Sequence, residues 1–153
     1  MGEYGLYVSN SGKAIRRRKE LGLENSVKLL YKVNPEADTY LVKRDVKAVT
    51  KSILSGCFPD GLCVSGTAAG AEPDDQILQD VYEIAKLADV PFFSNTGCRH
   101  DNVLDKLKIC YGVCMGTAFK KDGKLHERVD TKRTAEFMEI VKEIRNSKMG
   151  AAL

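Results

Sequence analysis

Short apolar runs closed by glycine or a small polar cluster alternate along this chain with longer stretches in which apolar residues recur every three or four positions. The runs "SVKLLYKV" (26–33), "DGLCVSG" (60–66), "VPFFSNTG" (90–97) and "YGVCMGTAF" (111–119) are rich in β-branched and aromatic residues and predict four strands. "GLYVSN" (5–10) is a fifth strand candidate. Between them, "DDQILQDVYEIAKLAD" (74–89) sets Ile77, Val81 and Ile84 at helical spacing, with Pro73, Asp74 and Asp75 where a helix start favours them. "TKRTAEFMEIVKEIR" (131–145) places Phe137, Ile140, Val141 and Ile144 on one face to pack on the sheet, with Asp130 or Thr131 as N-cap. "GKAIRRRKELG", "RDVKAVTKSILSG" and "DNVLDKLK" complete a helical series, and the basic run Arg16 to Lys19 reads as a solvated helix face.

Strands starting near positions 26, 60, 90 and 111 leave room for a helix in each connection, as parallel βα units require. The fold class is therefore α/β, read as one domain over residues 1–153. A (β/α)8 TIM barrel takes eight such units in about 250 residues. Four units make a partial barrel.

Composition narrows the function classes. With 24 basic against 21 acidic residues the net charge is +3, without the basic excess of a dedicated nucleic-acid binder. No apolar stretch reaches the roughly 20 residues of a membrane span, and no secretory leader pattern opens the chain. The five cysteines form no Cys-x-x-Cys pair, and only His100 and His126 could help build a metal site, so no metal is expected. Cys63, Cys110 and Cys114 read as small hydrophobes of a reduced protein, which places the chain in the cytoplasm or a soluble organellar compartment.

Three successive predicted strands end alike, in "SGTAAG" (65–70), "SNTG" (94–97) and "MGTAFK" (115–120). Ligands of α/β folds bind at the carboxyl ends of strands, and glycine lets them approach the backbone. Gly97, Gly116 and Thr117 would then donate hydrogen bonds to a phosphate, with Lys120 adding charge. The competing interpretation is a hairpin through "KKDGK", turning at Asp122-Gly123. In "TGCRHD", Cys98 lies beside Arg99 and His100, which invites a nucleophile; a loop cysteine ahead of a short helix from Asp101 is the plainer interpretation.

The order of "RRRKELG", "SGTAAGAEPD", "ADVPFFSNTGCRHDN" and "YGVCMGTAFKKDGKLHERVD" before a closing helix resembles the BtpA/SgcQ family, over roughly residues 5–145 and most closely over Gly112 to Asp130. The resemblance implies the second half of a phosphate-binding-type TIM barrel, beginning near the fifth strand. It carries over Gly66, Thr67 and Gly70 after strand six, Gly97 and Asn102 after strand seven, and Gly116, Thr117, Lys120, Asp122, Gly123 and Asp130 around strand eight. Where the family carries an Asp and then a Lys-His pair at the end of strand five, this chain has Lys32, Glu36 and Ala37; Ala69 and Asn95-Thr96 also depart from the pattern. The family's named member is associated with photosystem I biogenesis. The expectation is a remnant or assembly-type factor that binds anions without catalysis; the alternative is an enzyme on a phosphorylated sugar or nucleoside, its catalytic residues and cofactors unknown. A homo-oligomer, or a partner protein, is expected to cover the open half barrel.

Overall fold

A computed structural model describes residues 5–150 apart from 35 and 37, with the side chains of 147–150 left aside. Four strands, β1 (Leu30–Lys32), β2 (Gly61–Val64), β3 (Phe92–Ser94) and β4 (Gly112–Val113), form one parallel sheet in the order β1-β2-β3-β4. Five helices, α1 (Ser11–Glu20), α2 (Val46–Cys57), α3 (Asp75–Leu87), α4 (Val103–Ile109) and α5 (Thr131–Gly150), occupy the predicted stretches. The result is an α/β sheet of consecutive βα units, a partial βα-repeat fold. Residues 6–10 form no strand; Leu6, Tyr7 and Val8 are exposed.

Register divides the sheet into two faces. Tyr31, Leu62 and Phe92 align across β1 to β3 and face the helices, where Leu62, Val64, Leu78, Val81 and Phe92 build the main core. The alternate residues Lys32, Cys63, Phe93 and Gly112 share the opposite face. A Cβ on Gly112 would lie 3.0 Å from the Phe93 ring, and one on Gly61 would lie 3.1 Å from it, so the ring spreads over both neighbouring strands. A smaller cluster of Cys98, Val103, Phe137 and Val141 joins α5 to α4.

Asp74 caps α3, accepting from the N–H groups of Gln76 (2.9 Å) and Ile77 (3.1 Å). The stripe that α3 buries is Leu78, Val81 and Ala85; Ile77 and Ile84 flank it, so the helix is turned by one residue from the predicted face. Asp130 caps α5 through Lys132 N–H (2.9 Å) and Arg133 N–H (3.1 Å). Within the basic run, Arg18 is not solvated: it pairs with Asp60 and donates to Val27 O (3.1 Å), anchoring α1 to the start of β2. Backbone hydrogen bonding from Leu29 N–H, against an opposing desolvation, and the charges of Arg18 and Lys28 hold the Asp60 carboxyl below its ordinary range.

Candidate functional site

The carboxyl ends of the strands are polar. Directly beyond β1 to β3, Asn34 Nδ2 donates to Ser65 O (2.6 Å), Ser65 N–H donates back to Asn34 Oδ1 (2.9 Å), and Asn95 Nδ2 donates to Ser65 Oγ (3.0 Å). Beside this row a cavity of about 550 Å³ opens between the β2–α3, β3–α4 and β4–α5 connections, lined among others by Asn95, Gly97, His100, Gly116, Thr117 and Arg133.

Three of the seven predicted site residues, Gly97, Gly116 and Thr117, line this cavity; Gly66, Thr67, Asn102 and Lys120 do not. Gly66 N–H is donated to Thr96 Oγ1 (2.6 Å), whose own hydroxyl donates to Ala71 O (2.8 Å). A Cβ on Gly66 would stand 2.6 Å from Ala71 C, and one on Gly97 2.5 Å from Glu72 Cα. These two glycines make room for the 71–72 backbone, and Gly97 also takes φ +69. Gly116 differs, since nothing lies within 4 Å of a Cβ built there. Thr67 is exposed. Asn102 closes the β3–α4 turn, accepting from Arg99 N–H (2.7 Å) and donating to Gly97 O (3.0 Å).

Lys120 Nζ turns back onto Leu125 O. Its segment closes as a hairpin: Lys120 bridges Val129 antiparallel, Lys121 N–H donates to Arg128 O (2.9 Å), and Asp122 and Gly123 take φ 55 and 65. Asp122-Gly123 thus turns the chain, but the pairing closes at Lys120 and Val129 rather than directly across that turn, while the Gly116-Thr117 corner stays on the cavity wall.

Arg133, which the sequence analysis did not single out, and His100, which it named only as a possible metal ligand and a neighbour of Cys98, both stand at the cavity. Arg133, in the first turn of α5, donates from Nε to Ala118 O (2.9 Å) and has no acidic partner among the described residues. His100 is bonded through Nε2 to Arg133 O (2.9 Å); the carbonyl can only accept, so Nε2 is the donor. Arg99, by contrast, is taken up by Glu72 and Asp101. Burial pushes the Glu72 carboxyl up, but hydrogen bonds from Arg99 and Asn102 and the charges of Arg99 and Lys106 together hold it below its usual value.

Burial of the Cys98 and Cys110 thiols disfavours their thiolate form. Burial pushes Cys98 and Cys110 up to about 11. Lys32, at the mouth of β1, is paired with Glu36 (3.0 Å); Ala37 lies outside the described residues.

A profile of the BtpA family matches residues 1–143. The chain belongs to the BtpA family. Among BtpA relatives, the Putative sgc region protein SgcQ of Escherichia coli K12 is 38% identical over 143 residues, 94% of this chain and 52% of that protein. The Photosystem I biogenesis protein BtpA of Synechocystis is 28% identical over 149 residues, 95% of this chain and 50% of that protein. An uncharacterised mitochondrial protein of Caenorhabditis elegans is 24% identical over 137 residues, 88% and 47% of the two chains. This BtpA-family chain spans about half the length of the curated relatives it matches. No solved structure matches it. Among the described residues, no helix is long and apolar enough to cross a membrane.

Proposed function

We propose that the cavity at the carboxyl ends of β3 and β4 binds a small phosphorylated molecule, and that the chain acts as a binding or assembly-type factor without turnover of its own. The carrying observation is Arg133, a cation without an acidic partner among the described residues, fixed by Ala118 O beside the open Gly116-Thr117 corner. Guanidinium is suited to phosphate, offering several donors in a planar fork. Gly97 shapes the floor, and Thr117 offers a hydroxyl. Gly66, Thr67, Asn102 and Lys120 support the surrounding loops in this reading. The absence of turnover is argued from the raised thiols and from the pairing of Lys32 with Glu36 where a barrel mouth keeps its acids and bases. The name of the Synechocystis relative is in keeping with an assembly role, and five free cysteines suit a reducing compartment such as the cytoplasm.

The test is thermal melting in inorganic phosphate, with chloride at matched ionic strength as control. A ligand at 100 times its Kd adds about 2.7 kcal/mol, roughly 5–11 °C for a chain of this size. A melting temperature unmoved by millimolar phosphate and by a panel of sugar phosphates sinks the reading.

A second reading, an enzyme acting on a phosphorylated sugar or nucleoside, is favoured by His100, an imidazole on the cavity lining oriented by its Nε2 bond to Arg133 O. Turnover that follows the protein through purification and vanishes in His100→Ala would establish it.

A further inference from the structure

The sheet face that turns away from the helices becomes polar at the mouth. Lys32, Cys63, Phe93 and Gly112 share that face, so the residues two positions further on, Asn34, Ser65, Asn95 and Cys114, continue it. The ladder carries on to this level, with Asn95 N–H on Val64 O (2.8 Å) and Cys114 N–H on Ser94 O (2.8 Å). Asn34 grips the Ser65 backbone at both its carbonyl and its N–H, and the Ser65 hydroxyl, on a residue only 1% exposed, holds the Asn95 amide at 3.0 Å. Asn95 lines the cavity, so this row ends in an amide fixed at the cavity wall. The amide can turn over and keep its bond, because a hydroxyl donates to Oδ1 as readily as it accepts from Nδ2. Asn95 thus offers a ligand an acceptor or a donor, and a ligand hydroxyl, being both, pairs with either.

The cavity is longer than a phosphate group. It runs from Arg133 and the Gly116-Thr117 corner, beyond β4, to Glu36, beyond β1, a span of three strand spacings of about 4.8 Å each. Glu36 Oε2 takes Lys32 Nζ (3.0 Å), and no described residue bonds Oε1. A carboxylate only accepts, so whatever lies against Oε1 brings a donor. Among the described residues lining the cavity none is Phe, Tyr or Trp, the side chains on which a nucleobase stacks.

We propose that the end of the cavity at Asn95 and Glu36 reads the hydroxyl groups of a sugar phosphate, and that the ligand carries no nucleobase. Asn95 and Glu36 set the specificity, while Asn34 and Ser65 act as positioning residues that hold the Asn95 amide. The proposal rests on the phosphate reading above, with the phosphate at Gly116, Thr117 and Arg133 and the hydroxyls toward the β1 side.

Isothermal titration of the whole chain tests this, with orthophosphate, ribose 5-phosphate, glucose 6-phosphate, adenosine 5′-monophosphate and cyclohexyl phosphate, which has the bulk of a hexose and no free hydroxyl on its ring. At least one of the two sugar phosphates should bind about tenfold tighter than orthophosphate and than cyclohexyl phosphate, the worth of one or two hydrogen bonds. The adenosine ester should bind more weakly than ribose 5-phosphate. Asn95→Leu and Glu36→Ala should each cut the ratio of sugar-phosphate to orthophosphate affinity by about threefold or more, whereas Arg133→Met should weaken both ligands and preserve the ratio. The comparison of ligands is made on the wild-type chain, so it holds whether or not a variant folds. Orthophosphate binding with no gain for either sugar phosphate overturns the proposal and leaves the phosphate site in place. So does a gain that cyclohexyl phosphate shares, tightest binding by the adenosine ester, or a ratio indifferent to both Asn95→Leu and Glu36→Ala. A wild-type chain that binds none of these ligands overturns the phosphate reading and this proposal with it.

Discussion

Two glycines at the rim of one cavity should respond oppositely to substitution, and Gly97→Ala against Gly116→Val isolates the difference. Gly97 takes φ +69, where an L-residue costs about 1–2 kcal/mol. Its new methyl group would meet Glu72 Cα and Ala71 C at 2.5 Å, and both neighbours are backbone. Overpacking against unyielding atoms adds about 1–3 kcal/mol, for a sum of about 2–5 kcal/mol. At roughly 2–4 °C per kcal/mol for a chain of this size, Gly97→Ala should lower the melting temperature by about 4–20 °C. Gly116 has open space around it, so Gly116→Val should stay within about 2 °C of wild type, as surface substitutions do. On the proposed binding, bulk at Gly116 intrudes on the phosphate, so this variant should lose the phosphate-induced shift. Differential scanning calorimetry with and without phosphate reads both effects. A Gly97→Ala protein that melts with wild type, or a Gly116→Val protein that keeps the phosphate shift, would refute the division of roles.

Arg133→Met should weaken phosphate binding by roughly 10- to 100-fold, the worth of a charge-assisted hydrogen bond, with isothermal titration as the measurement; unchanged affinity would mean the guanidinium does not touch the anion. Asp130→Ala should cost about 1 kcal/mol in urea unfolding, since the α5 cap is lost; a neutral result would deny the cap its role. For Cys98 and Cys110 the folded thiols titrate near 11 against an ordinary 9.0, so the folded state holds its protons longer. Their contribution to stability is complete below pH 9 and fades as pH rises toward 11, which unfolding curves at pH 8, 10 and 11 can follow. In native labelling at pH 8, exposed Cys114 should react with a neutral thiol reagent while Cys98 and Cys110 stay silent until unfolding; rapid modification of Cys98 would contradict its burial.

Element type was legible in the sequence because period carries it: four short apolar runs became four strands, and five amphipathic stretches became helices. Orientation was less so. α3 has Ile77 and Leu78 side by side, and only packing against β2 and β3 chooses the stripe through Leu78, Val81 and Ala85. Arg18 looked like its neighbours in "RRRK" because its partner, Asp60, is far along the chain. At the cavity, Gly97, Gly116 and Thr117 were found from their places at strand ends, whereas Gly66 is a glycine for the sake of the 71–72 backbone. Arg133 from the first turn of α5 and His100 from the β3–α4 connection meet at the rim, a meeting that no local pattern records.

The backbone at Ala71 and Glu72 is seated against two glycines from different strand ends and bonded by Thr96, while Arg99 and Lys106 hold the Glu72 carboxylate. Change in that connection is therefore confined to residues 67–70, an exposed span whose last two members reach the cavity rim. Insertions and exchanges there can reshape what the cavity accepts while the seat beneath stays fixed. For a directed library, residues 67–69 are the place to randomise, and Gly66, Gly70 with its φ of +82, Thr96 and Gly97 are the positions to leave alone.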